Sequence, residues 1–511
     1  MDTQQNKPEQ QNKPEQPESP DPPGSQTAGA EAKHPTSTVS ATGGRALGLD
    51  ALRGFAILTM VLSGIIPFGE LPEWMYHAQV PPPDHVFDPE VRGITWVDLV
   101  FPFFLFSMGV AIPLAFTRRM DEGARRRDLL VKVAERGFLL AFFAIYLHHI
   151  RPFVLQPSDQ DPWVWWTAIA GALILFPIYT RLPDTLPRSV RWSIRGAGFA
   201  GAIVLLSQLT YPDGSGFSLY RSDIILIVLT NMAVFSSLIW MVTRDRTNLR
   251  LGVLVFLAAC ILAAREPGWV AAFWNESPLP WLFRFDYLKY LFILVPATMI
   301  GDRLAAAMKQ GLPSVLPDRT LRGAFRYHVT AVAGVAIMII LLAGLLSRQV
   351  LLTTAAVAVL MSVTLWFFRA AQSGNDRLFR DMLLWGAFWL MLGLVLEPFE
   401  GGIRKDHATF SYYFVTTGTA IWFLVTLMIW IDLFRGTRVF SLLVRNGRNP
   451  MIAYAGMQNF VLPVLTLTGI HGYLLSATGD PWIGVLRAIG YAVILALLVS
   501  WLTRRKIFWR S

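Results

Sequence analysis

The stretch "MYHAQVPPPDHVF" (residues 75–87) carries two histidines, His77 and His85, between two long apolar runs. Imidazole titrates near neutral pH, so a histidine there can move a proton or carry an acyl group. A second polar concentration lies far downstream in "EPFEGGIRKDHATFSYYF", where Glu397, Glu400, Arg404, Lys405, Asp406 and His407 crowd one loop. Carboxylates, a lysine and hydroxyls in one place suit a sugar or another polar acceptor. Asp50 and Arg53 open the first apolar run three residues apart, on one helix face, and Asp98 sits early in the second. Charges at membrane depth are costly and usually point into a bundle or a wet cavity. Asp98 also has a plain reading as a helix-start acid, with Thr95 as the cap.

These residues are carried by an unusually apolar chain. Of 511 residues, 53% are hydrophobic and 16% charged. A soluble chain of this length would hold two to four domains with far more charge. Apolar runs of about twenty residues recur, the length that crosses a bilayer as helix. The runs are too long and continuous for barrel strands. The expected fold is therefore an all-α polytopic membrane protein, a bundle of about 12–14 transmembrane helices. Spans are expected near 49–69, 93–116, 129–149, 162–181, 191–211, 223–243, 249–265, 286–307, 326–346, 350–370, 379–399, 409–434, 449–470 and 482–503. Residues 1–45 are polar and rich in Gln, Pro, Glu and Ser, and are expected to be a disordered tail. Residues 46–511 are expected to form the transmembrane domain.

Sidedness follows from counting. With a cytoplasmic N-terminus, the cytoplasmic loops and C-terminal tail hold 28 Lys and Arg, and the opposite loops nine. That bias alternates with every span, so both termini are expected in the cytoplasm and loop 70–92 outside. The net charge of +10 is then a topology signal, and nucleic acid is excluded as a partner. The single cysteine, Cys260, can form neither an internal disulfide nor a cysteine metal cluster. Pro102, Pro113, Pro177, Pro296, Pro398, Pro450 and Pro463 interrupt or bound the runs, and bent helices suggest an internal cavity. No P-loop, G-x-S-x-G, H-E-x-x-H or dinucleotide fingerprint occurs. A membrane enzyme and a transporter or flippase for saccharides or lipid-linked precursors both remain open on this reading.

The run "LDALRGFAILTMVLSG", then "YHA", then "GITWVDLVFPFFLFSMGVAI" resembles the heparan-alpha-glucosaminide N-acetyltransferase family and its bacterial relatives, a branch of the transmembrane acyltransferases. "KDHATFSYYFVTTG", "NGRNPMIAYAG" and the tail "RRKIFW" are similar to its closing blocks. The resemblance covers residues 49–140 and 395–511, and the middle, 160–380, diverges. It implies transfer of an acetyl group from cytoplasmic acetyl-CoA to an amino sugar or other glycan at the outer face, with no metal, in a bacterial inner membrane. The matching position for the family's active histidine is His77. His85 has no counterpart and is expected to be a loop residue. Where the lysosomal member has an asparagine upstream of that histidine, this chain carries Ser63. Asp98 is a candidate to orient His77. Arg53, Arg118 and Arg119 are candidates for the coenzyme phosphates, whose charge and geometry suit guanidinium. Glu397, Lys405, Ser411, Tyr412 and Asn449 are candidates for acceptor binding. The bilayer and a second copy in a homodimer complete the candidate partners. A direct transfer and an acetyl-histidine route are both compatible with these residues.

Overall fold

The computed structural model describes residues 45–69, 71–157, 161–314, 321–371 and 373–511, without the side chains of 321–323. The expected disordered tail, all but Arg45, lies outside the described residues. Every expected span folds as α-helix. In chain order these are α1 Leu47–Ser63, α2 Trp96–Asp121, α3 Arg126–His149, α4 Pro162–Tyr179 and α5 Arg188–Gln208. There follow α6 Ile224–Thr243, α7 Thr247–Ala263, α8 Leu291–Lys309, α9 Leu321–Leu346 and α10 Val350–Trp366. The last four are α11 Gly374–Phe399, α12 Phe410–Met428, α13 Pro450–Leu467 and α14 Pro481–Arg504.

Among the described residues, nine helices are long and apolar enough to cross a bilayer. The other five are short or charged: α7 and α10 are apolar over 17 residues, and α1, α3 and α5 carry acids or arginines in their bodies. The protein is an α-helical integral membrane protein. Helix ends differ from the expected spans where local chemistry intervenes. The first helix stops at Ser63, before Pro67, rather than at 69. The second starts at Trp96 because Thr95 caps it: the Thr95 hydroxyl accepts from Val97 N at 3.2 Å, and Asp98 Oδ2 accepts from Thr95 N at 2.9 Å. α13 contains a π-turn at Met457–Val461, which ends two residues before Pro463.

α12 is the axis of the fold. Every residue from Ser411 to Met428 is buried. It has no charged residue, and Thr416, Thr419 and Thr426 return their hydroxyls to the backbone, as Thr416 does to Tyr412 O at 2.7 Å. Such a helix can be enclosed on all sides. Small residues let neighbours approach closely. At the crossing of α1 with the short helix Ser441–Gly447, a Cβ on Gly447 would stand 1.7 Å from Asp50 O. One on Gly54 would stand 1.9 Å from Leu443 O.

The chain's two described termini meet at one end of the bundle. Asp432, in the π-turn after α12, accepts from Leu47 N at 3.1 Å and Gly48 N at 3.0 Å and so caps α1. Asp50 is gripped by Arg45 Nε and Nη2, at 2.5 and 3.1 Å, more closely than by Arg53 at 3.8 Å. The C-terminal tail pairs with residue 180: Arg181 N donates to Phe508 O at 3.0 Å, and Arg510 N donates to Tyr179 O at 2.8 Å. The opposite end carries loop 64–95 and loop 400–409, which hold the chemistry.

Candidate functional site

Loops 64–95 and 400–409 are joined by polar bonds across more than 300 residues of sequence. Gln79, fully buried, donates from Nε2 to Asp406 O at 2.5 Å and accepts from Asp406 N at 2.8 Å. Gly93 N donates to Ile403 O at 2.8 Å, and Arg404 pairs with Glu90 at 2.7 Å. The downstream loop is anchored in turn by α12. Glu400 accepts from Phe410 N at 2.8 Å and Ser411 N at 2.7 Å, placing a carboxylate on the positive end of that helix. The Tyr412 hydroxyl donates to Asp98 O at 2.8 Å and ties α12 to α2.

This clamp brings four titratable side chains together: His77, Asp98, Lys405 and Asp406. His77 Nε2 lies 3.0 Å from Asp406 Oδ2. His77 Nδ1 accepts from Gln79 N at 3.0 Å and lies 3.5 Å from Asp98 Oδ1. A backbone N–H can only donate, so Nδ1 carries the lone pair and Nε2–H donates to Asp406. His77 is thus oriented by one carboxylate at Nε2, with Nδ1 turned toward another.

Asp98 is fully buried, and its two oxygens do different work. Oδ2 is saturated by Thr95 N at 2.9 Å, Ala78 N at 3.2 Å and the Thr95 hydroxyl at 3.3 Å. Oδ1 has no hydrogen bond among the described residues and faces His77 Nδ1 and the Lys405 ammonium, the latter at 3.7 Å. A buried carboxylate oxygen without a donor is costly, and it offers a place for a proton or for a donor group on a ligand. Asp406 is held below its ordinary carboxyl value of 3.8, first by the hydrogen bond from His77, against desolvation, and then by the Lys405 charge. In this arrangement a proton taken up at Nδ1 would sit beside Asp98, with Asp406 behind the ring.

His85 is in the same loop but does something else. It adopts φ +48°, donates from Nε2 to Gly69 O at 3.2 Å, and sets its ring edge-on to Tyr76 at 4.5 Å between centroids. The Tyr76 hydroxyl donates to Pro67 O at 3.0 Å. His85 therefore braces the turn that carries His77.

The other expected residues separate into two groups. Lys405 and Tyr412 join the His77 cluster. Ser411 is buried beneath it, sharing a hydrogen bond of 2.8 Å with Thr409. Glu397 is buried at the end of α11, paired with Arg348 at 2.6 Å and accepting from Ile403 N at 3.1 Å. Ser63 returns its hydroxyl to Met60 O at 2.8 Å in its own helix. Asn449 lies at the end with the chain termini, where it donates to Ile507 O at 2.8 Å and accepts from Trp509 N at 3.2 Å. Arg53 bridges α1 to α2, donating to Ser107 O at 3.2 Å. Arg118 is exposed and paired with Glu122 at 3.0 Å, and Arg119 is exposed beside it. Sequence reasoning passed over Asp406 and Gln79 as site residues. Asp406 had a signal, as an acid in a loop crowded with charge. Gln79 had none beyond its nearness to His77.

A cavity of about 290 Å³ opens beside the same loop. Its polar lining comes from Arg265, Asn275, Asp286, Lys289 and His407, with the Trp274 ring among them. No group of three or more metal-ligating side chains occurs among the described residues.

A family model described as a domain of unknown function (DUF5009) matches residues 45–304, just over half of the chain. Two curated relatives are heparan-alpha-glucosaminide N-acetyltransferases. The Homo sapiens protein is 33% identical over 128 residues, which is 25% of this chain and 17% of that protein. The Mus musculus protein is 30% identical over 114 residues, 22% of this chain and 15% of that protein. The matched stretch thus spans about a sixth of the length of these relatives. By the extent of the family match, the chain belongs to the DUF5009 family.

Proposed function

We propose that this protein is a membrane-embedded acetyltransferase that moves an acetyl group from acetyl-CoA to an amino sugar or related glycan acceptor. The observation that carries the reading is the placement of His77, with Asp406 on one ring nitrogen and Asp98 facing the other. The similarity to two N-acetyltransferases supports the reaction class. The charge bias supports a cytoplasmic face for the end with the chain termini and an outer face for the His77 end. A bacterial inner membrane fits that polarity.

In this reading the acceptor amine attacks the acetyl carbonyl carbon. A C–N bond forms, the C–S bond breaks, and the coenzyme thiolate leaves and is protonated. His77 Nδ1 takes the proton that the acceptor nitrogen loses, exchanging its bond from Gln79 N for one toward Asp98. In the two-step variant His77 itself receives the acetyl group before the acceptor does. Lys405 offsets the charge of the two carboxylates and stands where it can donate to an acceptor oxygen. The cavity beside loop 400–409 supplies the acceptor subsite: its polar groups suit sugar hydroxyls, and Trp274 offers a ring face for the apolar side of a pyranose.

The test uses inside-out vesicles containing the protein, given radiolabelled acetyl-CoA outside and glucosamine within. Label in N-acetylglucosamine supports the enzyme. Sugar movement without acetyl-CoA, and no label transfer, would replace it with a transporter.

A further inference from the structure

The end of the bundle with the chain termini carries a second polar cavity, of about 350 Å³, between the start of α3, the α4–α5 connection, the first turns of α5 and the C-terminal tail. Six cations line it: Lys132, Arg181, Arg188, Arg191, Arg195 and Arg510. Among the described residues two carboxylates oppose them. Glu135 is shared by Lys132 at 2.6 Å and Arg195 at 3.9 Å, and Asp184 by Arg191 at 3.0 Å and Arg181 at 3.5 Å. Six positive against two negative charges leave an excess of four. Arg188 and Arg510 have no carboxylate within ion-pair distance among the described residues, and the buried Arg191 Nε has no hydrogen-bond acceptor.

Arginines that merely satisfy membrane topology spread along loops and snorkel outward. Here four come from 181–195 and one from a tail pinned beside them by the Arg181 N–Phe508 O and Arg510 N–Tyr179 O bonds. Guanidinium groups converging on a walled space suit phosphate oxygens, which they bind in pairs of parallel hydrogen bonds. An excess of four charges calls for more than one phosphate. The exposed Trp192 ring on the wall adds a stacking face.

We propose that this cavity is a binding site for a ligand bearing two or more phosphate groups. Two sources share that chemistry: the adenosine phosphates of a nucleotide coenzyme and the headgroup of a diphosphate-bearing anionic lipid. Assigning the coenzyme as the source rests on the acetyltransferase reading, whereas phosphate binding rests on the cavity alone.

The experiment uses the full-length protein in phosphatidylcholine nanodiscs, with Arg188→Glu/Arg510→Glu as the variant. Neither side chain is in an ion pair among the described residues, so the reversals break none there, and an unchanged melting temperature verifies folding. Binding of adenosine 3′,5′-bisphosphate and of coenzyme A is read by calorimetry, and binding of cardiolipin by native mass spectrometry. Nucleotide binding weakened at least tenfold in the variant supports the site and names the coenzyme as its ligand. Cardiolipin binding alone, lost in the variant, supports the site and names the lipid. Absence of all binding to the wild type, or binding that the variant leaves unchanged, overturns it. Because binding is read without turnover, failure of acetyl transfer in the wild type would remove the proposed reaction and leave these outcomes readable.

Discussion

Asp406→Asn isolates the electrostatic part of the proposed mechanism. The amide is nearly isosteric and keeps an oxygen to accept His77 Nε2–H at 3.0 Å, so the ring should stay oriented while the negative charge behind it is lost. Two unit charges at that distance interact by about 1.4 kcal/mol in water and by about 2.8 kcal/mol at an effective dielectric constant of ~40. The Asp406 side chain is 43% exposed, so the lower half of that range applies. A loss of roughly 1.5–2 kcal/mol in the step that places a proton on His77 lowers kcat by about 10- to 30-fold. The assay is the initial rate of glucosamine acetylation in reconstituted vesicles at saturating acetyl-CoA. Wild-type turnover in Asp406→Asn would show that no charge builds on His77. A loss as large as that from removing the imidazole would show that Asp406 does more than stabilise charge.

Four further outcomes follow from the same geometry. Asp98→Ala strands the buried donors Thr95 N and Ala78 N and removes half of the α2 capping box, so it should cost about 2–4 kcal/mol, seen as a lowered melting temperature in detergent. His85→Ala should retain activity within about tenfold, since its role is to brace the turn; in the same acetylation assay, a loss equal to that of the His77 variant would place His85 in the chemistry. Asp406, held below 3.8 by His77, stabilises the joined loops above the ordinary carboxyl value, and that contribution is lost as pH falls through its lowered folded-state value. The melting-temperature difference between wild type and Asp406→Asn should therefore be present at pH 7 and shrink below pH 3.8, whereas a constant difference would contradict the linkage. Gly447→Val should abolish accumulation of folded protein, because a side chain there meets Asp50 O, and normal gel-filtration behaviour would refute that packing.

The helices were legible because a bilayer selects long apolar runs, which nine of them meet among the described residues, and all fourteen expected spans fold as helix. Their ends were less so: the π-turn in α13 and the early stop of α1 depend on tertiary partners and a proline beyond the last turn. Capping of α1 by Asp432, more than 380 residues away, leaves no local trace in sequence. At the site, His77 stood out by its match to the family's active histidine, Lys405 by its place in a loop crowded with charge, and Asp98 because it lies just inside an apolar run. The pairing of His77 with Asp406 could not be read, since nothing in a single sequence joins residues 329 apart. Asn449 illustrates the converse. It was an acceptor-binding candidate through the resemblance of its turn alone; in the structure its amide donates to Ile507 O and accepts from Trp509 N of the returning tail.

The central claim is that His77 performs the proton or acetyl transfer. The most direct measurement is the rate of acetyl transfer from labelled acetyl-CoA to glucosamine by His77→Ala beside the wild type, in vesicles matched for protein content and melting temperature. The mechanism predicts a fall of about 10²-fold or more, the usual contribution of a positioned general base. Turnover within about threefold of wild type would contradict it.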